Sequence, residues 1–172
     1  GPNDEQKWVT WALDEIKPVV LDLLDGADTI IIGRKLAVDY IPYWEGVVKN
    51  PDDAMYDIGK YIVNAHKIIF TKTMDKSGWS NTDLAKGNLT DEIRMLKSQK
   101  GKDILVYGGS SFVTALVKER LIDEFKFFLN PVAIGKGDGI FSELESFQQL
   151  KLTKSVVYPS GIVLLQYVPV SA

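Results

Sequence analysis

Three short apolar runs constrain this chain more than any other feature: Asp28-Thr-Ile-Ile-Ile-Gly33, Lys67-Ile-Ile-Phe-Thr71 and Asp103-Ile-Leu-Val-Tyr107. None alternates with polar residues, as a strand with one wet face does. A strand that is apolar on both sides needs cover on both faces, which is the habit of parallel sheets with helices packed above and below. The stretches between the runs supply helices. Val19 to Leu24 reads as a short helix, with Pro18 in its first turn and Gly26 as its stop. Leu36, Val38, Tyr40 and Ile41 place another over about Lys35–Tyr43, ended or bent by Pro42. Asn50-Pro51-Asp52-Asp53 signals a loop and a helix start, followed by a helix over Ala54–Ala65. The loop-rich residues 74–88 leave room for a short strand near Thr82–Leu84. Thr90-Asp91-Glu92-Ile93 can cap a helix to about Gln99, and Gly101 ends it. Gly108-Gly109 turns tightly into a helix over Ser110–Glu119. Residues 1–17 carry apolar positions at Trp8, Val9, Trp11, Leu13 and Ile16 without a clear period.

The last third changes character. Glu124 to Leu129 reads as a strand, and Gly135-Lys-Gly-Asp-Gly139 as a loop. Gln148–Val157 and Ile162–Val168 read as strands joined by the turn Tyr158-Pro159-Ser160-Gly161. The expected fold class is therefore α/β, with a mainly parallel sheet and a C-terminal antiparallel hairpin. A length of 172 residues suits one domain.

Composition excludes several functions. Twenty Lys and Arg against 23 Asp and Glu give a net charge of −3 with no basic stripe, so a nucleic-acid partner is not expected. No cysteine is present, which removes disulfides, thiol catalysis and thiolate metal sites and suits a reducing cytoplasm. The single His66 rules out a multi-histidine metal site, and no metal is expected. Apolar runs fall far short of the roughly 20 residues that cross a bilayer, and no basic-then-apolar leader opens the sequence; a membrane partner is not expected.

Three turns carry the chemistry. Gly108-Gly109-Ser110-Ser111-Phe112 lies between a strand and a helix, where glycines allow close backbone approach and the helix start offers unpaired N–H groups to a phosphate. A plain tight turn capped by Ser110 explains the same residues. The spacing is neither G-x-G-x-x-G nor a P-loop. Gly33-Arg34-Lys35 puts two cations at a helix N-terminus, against the dipole, which makes sense if an anion binds between them; two solvated charges are the plain alternative. Thr71-Lys72-Thr73 ends the next strand with hydroxyls and a cation. All three sit at the C-terminal ends of strands expected to be parallel, the edge where open α/β sheets bind ligands. One dinucleotide could bridge them. Tyr40, Tyr43 and Trp44 could line a ring-binding pocket, although aromatics after a helix are commonly core. His66 reads as a helix-end or surface residue. No Ser/His/Asp set and no carboxylate pair with acid/base spacing is evident.

These residues resemble the dihydrofolate-reductase-like superfamily. More narrowly, they resemble the reductase domain of bifunctional riboflavin-biosynthesis deaminase-reductases and their small stand-alone bacterial relatives. The resemblance rests on Gly33-Arg34-Lys35 after Ala27–Ile32, on Lys67–Thr73, on Asp103–Phe112 and on Asn130-Pro-Val-Ala-Ile-Gly-Lys-Gly137 ending at Phe141, and it spans about residues 26–168. It implies a three-layer α/β/α fold with NADPH across the strand ends. Arg34 would hold the adenosine 2′-phosphate, with Thr71 and Lys72 beside it. Gly109, Ser110, Ser111 and Phe112 would offer N–H groups to the pyrophosphate, at the turn that Gly108 opens. The implied activity is hydride transfer to a small heterocyclic or carbonyl-type substrate; the alternatives are a non-catalytic nucleotide or small-ligand binding protein, or an interaction protein, on the same fold. A homodimer is the expected assembly. Two departures stand out. Leu36 replaces the family's usual Thr. Gly1-Pro2-Asn3-Asp4-Glu5 resembles the end of a segment that follows the family's first strand, so that strand and its acidic residue are expected to be absent from residues 1–172. No catalytic acid is therefore assigned.

Overall fold

The computed structural model describes residues 7–170. The chain divides into two compact units, Ile16–Val113 on one hand and Gly1–Glu15 with Thr114–Ala172 on the other. The correspondence of Gly1–Glu5 to a family segment lies outside the described residues.

The first unit is built on four parallel strands: β1 (Ala27–Gly33), β2 (His66–Phe70), β3 (Thr82–Ala85) and β4 (Asp103–Gly108), in the order β3-β2-β1-β4. All three apolar runs are strands, as expected. Ile30, Ile31 and Ile32 are 1, 5 and 0 % exposed, so both faces of β1 are covered. Side chains alternate along a strand. Ile30 and Ile32 accordingly join Ile69 in one cluster with Leu24, Ala37, Tyr40, Ile41, Trp44, Ile58 and Ile62, while Ile31 and Ile68 are buried outside it.

Helices α1 (Leu13–Asp25), α2 (Arg34–Val47), α3 (Tyr56–Asn64), α4 (Leu89–Ser98) and α5 (Ser110–Lys118) complete the pattern. Two prolines differ from expectation. Pro18 lies well inside α1, which begins at Leu13, and Pro42 lies inside α2, which runs on to Val47. Pro42 and Val38 are both exposed, as are Pro18 and Asp14. The carbonyl that each ring leaves unbonded, four residues back, is therefore on a solvent-facing side where water can serve it. In α2 the buried stripe Ala37, Tyr40, Ile41, Trp44 and Val47 keeps a helical period through the proline, and its burial outweighs the lost bond.

Lys67 opens an apolar run yet is only 3 % exposed. Its amine donates to the carbonyls of Ile62 (3.2 Å), Val63 (2.8 Å) and Ala65 (2.8 Å), closing the C-terminus of α3. Burial pushes its pKa down, and the charge of Glu45 partly opposes that. The cap of α4 is Asn88, not Thr90: its side chain accepts from the N–H groups of Thr90 (2.9 Å) and Asp91 (3.3 Å), one of the residues that place acids in the first turn. Asn88→Ala should lower stability by about 1 kcal/mol, the usual value of such a cap; a denaturant midpoint unchanged from wild type would show that Glu92 and solvent satisfy those groups instead.

The second unit holds an antiparallel sheet of β5 (Phe125–Leu129), β6 (Leu150–Val157) and β7 (Val163–Pro169), ordered β5-β7-β6. The hairpin β6–β7 is as expected. Its turn is closed by the Gly161 N–H on the Tyr158 carbonyl (2.9 Å), with Gly161 at φ +87°, a conformation suited to glycine. The antiparallel strands make a sheet of their own, since β5 pairs with β7 and the outer edge of β4 has no strand beside it among the described residues. Glu15 holds the turn by accepting from the Ser160 N–H (3.1 Å) and hydroxyl, and the Asn130 side chain accepts from the Thr10 N–H (2.8 Å).

Candidate functional site

The chain moves from β1 through α2 and α3 to β2 and β3 on one side, then returns through α4 to β4 on the other side of β1. That reversal is a topological switch point, and the ends of β1 and β4 form its lips. Gly33 and Gly108 terminate these two strands, with Ile32 registered on Gly108. The expected turns 33–35, 71–72 and 108–112 thus lie at the C-terminal ends of neighbouring parallel strands.

The lips approach closely. A Cβ on Gly33 would sit 3.0 Å from the Phe112 Cβ and 4.0 Å from the Gly109 nitrogen. Gly108 is buried at φ +135°, with a cis peptide to Gly109, and a Cβ there would meet Leu36 Cδ2 at 3.0 Å. Leu36 therefore fills the space beside the glycine pair. Phe112 packs its ring 4.9 Å from that of Phe70, beneath the turn.

Two helices begin at the lips, and both starts are open. Gly33 is the N-cap of α2 and gives no side-chain cap, and neither α2 nor α5 has an acid in its first turn. Among the described residues the Ser110 and Ser111 N–H groups have no acceptor, whereas the Phe112 N–H donates to the Gly109 carbonyl at 3.0 Å. Three of the four expected N–H donors remain clear of that bond, and Phe112 contributes its ring. Helix α4 also starts at this edge, after β3, and shows what a closed start looks like. Asn88 caps it, Asp91 and Glu92 occupy its first turn, and Glu92 accepts from the Gly87 N–H at 3.0 Å. Two uncapped, acid-free starts side by side, with partial positive charge at each, suit a polyvalent anion.

Arg34 and Lys35 are exposed and form no ion pair or hydrogen bond among the described residues, so both cations are available there. Thr71 and Lys72 are placed differently. The Thr71 hydroxyl, 7 % exposed, accepts from the N–H groups of Thr73 and Met74 (3.1 Å each). The Lys72 amine donates to the carbonyls of Lys86 (2.9 Å) and Gly87 (2.7 Å). Lys72 ties the ends of β2 and β3 together, and the Thr71 hydroxyl closes the turn that follows β2. His66 lies at the far end of β2 and pairs with Asp83 at 2.9 Å. Of the aromatics, Tyr40 and Trp44 are core, Tyr43 is 56 % exposed, and Tyr107 joins Tyr40 at a ring separation of 4.9 Å. Tyr107 was not singled out from the sequence; its place beside the glycine pair was the available signal. No group of three or more His, Cys, Asp or Glu fit for a metal occurs among the described residues.

The glycines of this rim face the side chains of Phe112 and Leu36, so what the rim offers a phosphorylated dinucleotide such as NADPH is two helix starts without side-chain caps and an exposed arginine without a partner among the described residues. The fold and rim define an α/β protein whose parallel sheet gathers its strand–helix turns at one edge. The chain belongs to the RibD C-terminal domain family, whose model matches residues 1–164 and so spans both units. It is 31 % identical to the uncharacterized protein YyaP of Bacillus subtilis over 97 % of this chain and 86 % of that protein. A protein of Shewanella sp. PV-4 named for riboflavin biosynthesis has a similar structure, with TM-score 0.67 and 23 % identity over 99 % of this chain and 84 % of that one. The diaminohydroxyphosphoribosylaminopyrimidine deaminase/5-amino-6-(5-phosphoribosylamino)uracil reductase of Thermotoga maritima matches with TM-score 0.66 and 18 % identity over 98 % of this chain, which spans 52 % of that longer protein. No helix among the described residues is long and apolar enough to cross a membrane.

Proposed function

We propose that the protein is an NADPH-dependent reductase that delivers hydride to a small heterocyclic or carbonyl-type substrate. Membership of a family with reductase members supports this reading, and the paired open helix starts at the glycine lips carry it. Bound NADPH would supply the hydride. The chain's own residues would do the holding: Arg34 the adenosine 2′-phosphate, and the Gly109, Ser110 and Ser111 N–H groups the pyrophosphate. Phe112 and Leu36 set the shape of the cradle from behind.

Thermal unfolding with NADPH, with NADH and without ligand tests this. A ligand at about 100 times its Kd adds roughly 2.7 kcal/mol, which for a chain of this size raises Tm by roughly 5–10 °C. NADPH should produce that shift and NADH much less. Equal shifts, or none, would contradict the reading.

One observation favours a second reading. The rim residues 33–36, 70–73, 85–87 and 108–112 include no Asp or Glu, and the carboxylate that reaches them, Glu92, accepts from the Gly87 N–H at 3.0 Å. A binding protein that keeps the cradle without turnover would show the NADPH shift and no NADPH oxidation with any carbonyl or heterocycle supplied.

We place the protein in the cytoplasm, in keeping with its lack of cysteine, and propose a homodimer. The antiparallel sheet supports the dimer: Leu129, Val163 and Val157 are registered across its three strands and share a face, with Leu129 59 % and Val157 75 % exposed. Leu129→Glu with Val157→Glu should convert a dimer to a monomer by light scattering; a wild-type monomer would refute the assembly.

A further inference from the structure

The sequence contains two Asp-Gly pairs, Asp25-Gly26 and Asp138-Gly139. In such a pair the peptide nitrogen of the glycine can attack the side-chain carboxyl carbon of the aspartate, because glycine has no Cβ to crowd the approach or to narrow the backbone's choices. The attack needs the aspartate backbone to turn out of helix or strand geometry, and it is opposed when the glycine N–H is held in a hydrogen bond. Structure therefore decides which pair reacts.

Asp25-Gly26 is held on every side. Asp25 is the last residue of α1, and the Gly26 N–H donates to the Asp22 carbonyl at 3.1 Å. The Gly26 carbonyl accepts from the Asp103 N–H at 3.1 Å, the Asp25 carbonyl accepts from the Lys102 amine at 2.5 Å, and the Asp25 carboxylate accepts from the Tyr61 hydroxyl at 3.3 Å. Asp138-Gly139 is placed in the opposite way. Residues 130–149 hold no helix or strand, and residues 131–139 are all exposed. The N–H groups of Gly137, Asp138 and Gly139 donate to nothing among the described residues, and the Asp138 carboxylate has no partner there. The flanking bonds are the Lys136 N–H on the Ile134 carbonyl (2.8 Å) and the Ser142 N–H on the Gly139 carbonyl (3.1 Å), so no hydrogen bond fixes the Asp138 dihedrals. A Cβ on Gly139 would meet nothing within 4 Å, which shows the room around the nitrogen that must move.

We propose that Asp138 is a site of spontaneous covalent modification, conversion to isoaspartate through a succinimide with Gly139, and that the fold protects Asp25 from the same reaction. The Gly139 nitrogen bonds to the Asp138 Cγ, the bond from Cγ to its hydroxyl oxygen breaks, and the nitrogen's proton leaves with that oxygen as water. No group is oxidised or reduced. Water then adds to the cyclic imide. Addition at Cγ restores aspartate; addition at the main-chain carbonyl of Asp138 breaks its bond to nitrogen and leaves isoaspartate. In isoaspartate the main chain runs through the former side chain and is lengthened by the Cβ, while the α-carboxylate becomes free. One water is lost and one regained, so mass and charge are unchanged. The free α-carboxylate is the group that a repair methyltransferase using S-adenosylmethionine would esterify, which names the class of partner this loop would attract as the protein ages. The inference is independent of the reading of the rim as a cofactor site.

The test holds the whole chain for several days at physiological temperature and near-neutral pH and then digests it with trypsin. Cuts after Lys136 and Lys151 release a peptide whose only aspartate is Asp138. A second form of this peptide, equal in mass but separated by chromatography and identified as isoaspartate by electron-transfer fragmentation, should accumulate. It should grow at least about tenfold faster than isoaspartate at Asp25, whose reaction must wait for local opening of the α1 end. In denaturing urea the two sites should react at similar rates. Gly139→Ala should slow the reaction at Asp138 several-fold and leave Tm unchanged, since its Cβ has room and its backbone lies outside the left-handed region. The absence of the second form, equal rates at the two sites in the folded chain, or an unchanged rate in Gly139→Ala would each overturn the proposal. A difference between the sites that persists in urea would do so too, by assigning the selectivity to local sequence.

Discussion

Arg34→Ala should weaken NADPH binding about 10–100-fold and leave NADH affinity nearly unchanged. The range follows from charge-assisted hydrogen bonds between a guanidinium and a phosphate, worth roughly 1.5–3 kcal/mol. Arg34 is exposed, stands at the start of α2 and has no carboxylate partner among the described residues, so its loss costs the fold little; Tm without ligand should stay close to wild type. Lys35 remains as a second cation, which sets the lower end of the range. Raising the salt should narrow the gap between wild type and variant, because the lost term is electrostatic and solvent-facing. Dissociation constants for both cofactors, measured at two salt concentrations, decide the matter. A variant that keeps its preference for NADPH would remove Arg34 from the 2′-phosphate and weaken the whole reading of the rim.

Gly108→Ala is expected to cost both fold and ligand. At φ +135° an alanine is strained by roughly 1–3 kcal/mol. Its Cβ would also press on Leu36 Cδ2 at 3.0 Å. Leu36 Cδ2 is the far end of a flexible side chain and can give by a few tenths of an ångström, so the dihedral strain is the larger cost. A drop in Tm on the order of 5 °C, together with loss of the NADPH-dependent shift, is the expected result. Retention of both would mean that the glycine pair is only a turn. Leu36→Ala in the Gly108→Ala background separates the two causes: it should relieve the contact and leave the dihedral strain.

Much of the candidate site's local geometry was legible because its signals are local. A glycine pair after an apolar strand and cations opening a helix can be recognised without knowing their neighbours, and parallel strands oblige all such turns to share an edge. What could not be read was which groups were already engaged. Lys72 looks like a free cation in the sequence, but the carbonyls of Lys86 and Gly87, 14 and 15 residues away, take its amine. The Phe112 N–H looks like a phosphate donor but closes the first turn of its own helix. Pro42 reads in the sequence as a helix end or bend; its position on the exposed side of α2 explains why the helix runs on to Val47.

The apolar runs, alternating with helical stretches, pointed to strands covered on both faces as in a parallel sheet, and the turn residues pointed to where glycine's freedom would be spent. Three-dimensional packing settled what no window of sequence contains. It determined, among the described residues, which strand lies beside which, that β5 joins β7, that α2 and α5 open without a side-chain cap while α4 is closed by Asn88, and that the Tyr40 hydroxyl has no partner. The reason is physical: strand and turn preferences come from a residue and its immediate neighbours, whereas pairing, capping and desolvation depend on groups brought together across dozens of residues.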